Sequence, residues 1–117
     1  MRVRQRMGQV TIVDLAGSER VKKSHSEGLR FKEATNINTS LLAFGNCVQA
    51  LASRQAYVPY RDSTLTKVLE TSLAGNCRTA LLVCVAPEET QHSETASSLE
   101  FAARAMRIAS APRCHDE

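Results

Sequence analysis

Apolar residues along this chain fall into two unbroken runs and three periodic stretches. The runs are Val10 to Val13 and Thr79 to Ala86. Both are rich in β-branched residues and neither alternates with polar ones, so each reads as a strand buried on both faces, at the centre of a parallel sheet. The longest periodic stretch carries Ala34, Ile37, Leu41, Phe44 or Gly45, Val48 and Leu51 or Ala52 at three- and four-residue steps. That spacing predicts an amphipathic helix over about 32–53, with Glu33 in its first turn, where the helix dipole favours an acid. A shorter helix follows Pro59, capped by Asp62 or Ser63, carrying Leu65, Val68, Leu69 and Leu73 and stopped by Gly75-Asn76. Ser93 is expected to cap a last helix from Glu94 to about Ala109, with Leu99, Ala102, Ala103 and Met106 on one face.

Strand, helices, strand is a crossover unit, so the two strands are expected to be parallel with a right-handed connection. The fold class is therefore α/β: central parallel strands flanked by helices. Residues 18–30 are polar and aperiodic and read as a loop, either a solvated connection or a switch segment. Residues 109–117 are expected to form a flexible tail.

Composition adds little to that picture and removes several alternatives. The 117 residues are 43% hydrophobic, enough for one domain with a core. No apolar run approaches a membrane span, and Met1 to Met7 is not followed by the apolar stretch of a signal peptide, so a cytoplasmic protein is expected. Cys47, Cys77, Cys84 and Cys114 are widely spaced without a C-x-x-C pair and read as reduced, structural thiols. The net charge of +3 is mild. Five aromatic residues among 117 offer no stacking platform for bases, which argues against a nucleic-acid partner.

The candidate chemistry begins where the first run ends, in Asp14-Leu15-Ala16-Gly17-Ser18-Glu19. An acid at the carboxyl end of a central strand can hold hydrated Mg²⁺, and a nearby glycine lets a backbone N–H approach a phosphate. A structural Asp and a turn glycine would explain the same letters. A second candidate is a basic face assembled from Arg20, Lys22, Lys23, Lys32, Arg61 and Lys67, with Tyr57 and Tyr60 beside it. No Gly-x-x-x-x-Gly-Lys-Ser/Thr loop stands anywhere in these residues, so the usual cradle for nucleotide phosphates is absent from them.

Four motifs in fixed order, Asp14 to Glu19, Asn36 to Asn46, Tyr57 to Thr66 and Gly75 to Thr79, resemble the C-terminal part of the kinesin motor domain. The resemblance runs from about residue 9 to 108, from the second switch to the last motor helix, and implies a partial P-loop NTPase fold in residues 1–108. It further implies an ATP-driven microtubule motor of the cytoskeleton, using ATP and Mg²⁺ in the complete domain. Under it, Asp14 holds the metal through water, Gly17 contacts the terminal phosphate, and Glu19 helps move a proton from the attacking water. Asn38 couples the switch to the long helix, and Arg20, Lys22, Lys23, Lys32, Tyr57, Tyr60, Arg61 and Lys67 meet tubulin.

Thr35, Thr39 and Thr64 stand where many members of that family carry lysine, which implies a weakened track contact. These residues alone are expected to have no ATPase activity. The rival readings are a non-enzymatic microtubule-binding module and an unrelated nucleotide switch sharing Asp-x-x-Gly.

Overall fold

The protein is represented by a computed structural model that describes residues 8–17 and 29–112, with no side chains described for 29–34. Three α-helices dominate: α1 (Leu29–Ala52), α2 (Thr64–Leu73) and α3 (His92–Ala105). Short 3₁₀ turns at Tyr60–Asp62 and Glu89–Gln91 lead into α2 and α3.

Helix α1 is the axis of the fold, and α2 and α3 both pack on it. Among its described side chains the buried ones are Ala43, Phe44, Cys47, Val48 and Ala50. Phe44 and Val48 meet Leu69 and Leu73 of α2, and Leu15, Leu51, Tyr60, Leu65, Phe101, Ala105 and Ile108 close around them. The helix ends with Gln55 N–H donating to Ala50 O at 2.9 Å and Arg54 N–H donating to Leu51 O at 3.1 Å. That pair of bonds is the Schellman arrangement, and Arg54 holds its left-handed position at φ 52°.

Helix α2 starts with a reciprocal cap. Ser63 Oγ accepts from Thr66 N–H at 3.1 Å, and Thr66 Oγ1 accepts from Ser63 N–H at 3.1 Å. Thr66 is fully buried, and its hydroxyl lies 2.7 Å from Tyr60 O, so one side chain ties the cap to the preceding turn. At the other end Gly75, at φ +97°, takes the left-handed turn that stops the helix.

Several sequence expectations are corrected. Among the described residues there is no β-strand. Residues 10–13 and 79–86 do not pair with each other, and Val10, Ile12 and Leu82 are 86%, 92% and 91% exposed rather than buried. A strand exists through ladder bonds to a neighbour, and apolar composition alone cannot supply one. Helix α1 begins at Leu29, which leaves its first turn without an acid and moves Glu33 beyond it. Helix α3 begins at His92, one residue before Ser93, because the Glu89–Gln91 turn already starts the coil; no side chain caps it. The inward face of α3 carries Phe101 and Ala105, while Leu99 and Met106 are 54% and 86% exposed. Cys47 is buried, but Cys84 is exposed and so is no core thiol.

Candidate functional site

Residues 8–17 run without regular structure, and all of them are exposed except Leu15. Leu15 is half-buried and packs against the cluster that joins α1 to α2. Asp14 precedes this anchor and Gly17 lies two residues beyond it, both open to solvent. Ala16 then faces α1 across a cavity of about 300 Å³ that Asn36, Ile37, Ser40, Leu41 and Leu65 also line. Among the described residues of the segment bearing the acid and the glycine, Leu15 is the half-buried one, and it packs on the core shared by both helices.

Asn38 is half-buried on α1, but it is Asn36 and Ser40 that line the space under Ala16. Helical geometry explains this, since Asn36 and Ser40 are one turn apart on the same face and Asn38 is turned well away from both. Sequence reasoning missed Leu15 and Asn36. The i, i+4 relation of Asn36 to Ser40 was the available signal.

The basic candidates separate into two groups. Tyr57 and Arg61 in the loop and 3₁₀ turn, and Lys67 on α2, are all exposed, with Tyr57 at 69%. Neither Arg61 nor Lys67 is engaged by a carboxylate among the described residues. Tyr60 instead turns inward: it is half-buried, packs on the core and has a phenol pushed above its ordinary value, first by burial and then by Cys47 and Glu70. Glu19, Arg20, Lys22 and Lys23 lie outside the described residues, as does the side chain of Lys32.

Among the described residues no three His, Cys, Asp or Glu side chains gather as a metal site. Asp14 offers one exposed carboxylate. That suits Mg²⁺, which keeps most of its waters and takes one or two carboxylates together with phosphate oxygens. It does not suit a metal that needs a protein cage.

The kinesin motor domain family model matches residues 1–108. The chain belongs to the kinesin motor domain family. Human kinesin-1 heavy chain is 52% identical over 101 residues, covering 86% of this chain and 10% of its own length. Kinesin-like protein KIP3 of Saccharomyces cerevisiae is 48% identical over 103 residues, 85% of this chain and 13% of that protein. A solved KIF14 dimer, in a two-heads-bound state with AMP-PNP in complex with a microtubule, superposes with a TM-score of 0.84 at 41% identity. That match covers 89% of this chain and 30% of the KIF14 chain. This kinesin chain thus spans about a tenth of the length of the curated relatives it matches, and its likeness to the KIF14 motor supports a P-loop NTPase kinesin fold, to which its described residues contribute three α-helices. Among those residues no helix is long and apolar enough to cross a membrane.

Proposed function

We propose that these residues are the switch-and-track portion of an ATP-driven microtubule motor. The observation that carries the reading is the anchoring of Leu15 on the core shared by α1 and α2, with Asp14 and Gly17 exposed on either side of it. Movement at Asp14 to Gly17 is passed to α1 and α2 through that contact. Arg61 and Lys67 stand on the outer side of the same unit, where an acidic tubulin surface would meet them.

In the complete motor Asp14 would orient a water on Mg²⁺, and the Gly17 N–H would approach the terminal phosphate without a side chain in the way. The metal, when bound, neutralises charge on the phosphoryl oxygens as the bond breaks. Glu19 would help carry away the proton of the attacking water. Asn36 and Ser40, under Ala16, hold the polar side of the space into which the switch segment settles. None of these residues cradles the α- and β-phosphates, so the 117 residues alone do not turn over ATP.

Co-sedimentation with microtubules tests the reading, in AMP-PNP and in ADP at rising salt, alongside a steady-state ATPase assay. Binding that fades with salt, without turnover, is expected. Microtubule-stimulated hydrolysis by the 117 residues alone overturns the incomplete-site argument. No binding at low salt overturns the track-facing assignment. A second reading is a microtubule-binding module without catalysis, which the exposed Arg61 and Lys67 would serve equally well. Binding of the same chain, joined to a phosphate-cradling segment, that ignores nucleotide would select it.

A further inference from the structure

The chain that leaves α3 is pinned back onto the turn that closes α2. Ser110 Oγ donates to Cys77 O at 3.0 Å, and Ala111 N–H donates to Gly75 O at 2.8 Å. Ile108, two residues earlier, is half-buried against the helical core. Residues 108–112 have no regular structure, and Ser110 itself is exposed.

Two arginines stand upstream at an even step. Arg107 lies three residues before Ser110 and is exposed; Arg104 lies six before it and is half-buried. Among the described serines, Ser110 alone has an arginine three residues ahead of it. Thr64 has Arg61 at the same spacing, but it begins α2 and its backbone is committed to the helix.

We infer that Ser110 is a phosphorylation site for a protein kinase that recognises arginine through acidic side chains, and that the phosphate releases residues 109–112 from the turn at Gly75 to Cys77. Reaction takes place when the segment swings clear of Cys77 O and frees the hydroxyl. Ser110 Oγ then bonds to the γ-phosphorus of the kinase-bound ATP, and the bond from that phosphorus to the diphosphate oxygen breaks. The serine proton passes to a carboxylate of the kinase, and ADP departs.

Once added, the phosphate cannot sit where the hydroxyl sat. The ester oxygen has no proton to give to Cys77 O, and the group would bring a charge of about −1.5 to −2 against that carbonyl. Ser110 also borders a cavity of about 340 Å³ whose walls include Phe44, Leu73, Val83 and Ile108. Charge is poorly solvated beside such side chains, so the released arrangement, with the phosphate in water, becomes the favoured one. Ser110 lies past residues 1–108, the stretch that the family model matches, so the inference stands or falls apart from the motor reading.

The test incubates the full 117-residue chain with Mg²⁺, ATP and the catalytic subunit of cAMP-dependent protein kinase as the arginine-directed probe. Mass spectrometry is expected to find one phosphate, mapped by fragmentation to Ser110. Arg107→Ala, a change at an exposed position, should slow its addition by roughly tenfold or more with unchanged circular dichroism. In the phosphorylated chain the Ala111 amide should exchange roughly tenfold faster, the worth of about one hydrogen bond, while the amides of α1 keep their rates. No phosphate at Ser110, or one added at the same rate to Arg107→Ala, overturns the assignment of the site. A phosphate that leaves Ala111 exchange unchanged, or slows it by pairing with the neighbouring Arg78, overturns the release.

Discussion

The ring of Phe44 on α1 meets that of Phe101 on α3 with centroids 5.5 Å apart and planes inclined by 52°. This tilted pair is the aromatic contact that fastens the last helix to the central one. Truncating Phe101 or Phe44 to Ala should cost about 3 kcal/mol each, from lost transfer energy and the cavity left behind. A double-mutant cycle on the pair should show about 1 kcal/mol of coupling beyond burial. Urea unfolding followed by helical circular dichroism measures both, and additive single effects would contradict the contact.

Thr66 is fully buried; its hydroxyl accepts from Ser63 N–H, and its one proton has Tyr60 O at 2.7 Å, with Ser63 Oγ and Ser63 O also in reach. Thr66→Val keeps the shape and strands those partners, so it should destabilise by about 2 kcal/mol. Thr66→Ser retains the hydroxyl and should cost less than half as much. Removing the cap itself with Ser63→Ala should cost about 1 kcal/mol. Equal losses for the Val and Ser variants would show that packing matters and the hydroxyl does not.

Arg54 occupies a left-handed conformation that glycine takes without steric cost. Arg54→Gly should therefore stabilise the end of α1 by about 0.5–1 kcal/mol, read as a higher midpoint of thermal unfolding. Arg54→Val should do the reverse. A lower midpoint for the glycine variant would mean that the arginine side chain contributes more than its backbone costs.

Burial pushes the Cys47 thiol above its ordinary value of 9.0, and the Asp62 charge adds to the shift. The folded state therefore binds that proton more tightly than the unfolded chain does. This contribution to stability is complete below about pH 9 and is lost as the pH climbs through the raised folded value. Tyr60, shifted the same way, extends the loss to higher pH. Unfolding midpoints at pH 8 to 11 should fall, and Cys47→Ala should flatten the first part of that fall. An unchanged slope in the variant would remove Cys47 from the account.

Arg61 and Lys67 are exposed on one helix-turn unit. The double change Arg61→Ala with Lys67→Ala should weaken microtubule co-sedimentation severalfold at low salt and shallow its salt dependence. The circular dichroism spectrum should not change. Unaltered binding would move the track contact to other residues.

Helix positions were legible because their signals are local. The period of α1 named Val48 and left Phe44 or Gly45 open, while Asp62 or Ser63 and Gly75-Asn76 marked the two ends of α2, and the structure selects Phe44 and Ser63. Helix α3 was legible as an element, though it ends at Ala105 rather than near Ala109, and its orientation was not legible: its alanine-rich sequence supports more than one face, and packing on the core beside Phe44 places Phe101 inward. Strands were not legible in the same sense, since runs such as Val10 to Val13 state a preference that a neighbouring backbone must complete. The site divided similarly. Asp14 and Gly17 stand out as letters, whereas the importance of Leu15 comes from what it touches, some thirty to sixty residues further along the chain.

Helix α1 spans 24 residues, about 36 Å, and among its described side chains, those of 35–52, burial begins at Ala43. It is gripped near one end like a bar set in a vice. A slight rotation in the grip becomes a much larger sweep at the far end, and a load applied there is returned, magnified as torque, to Phe44 and Val48.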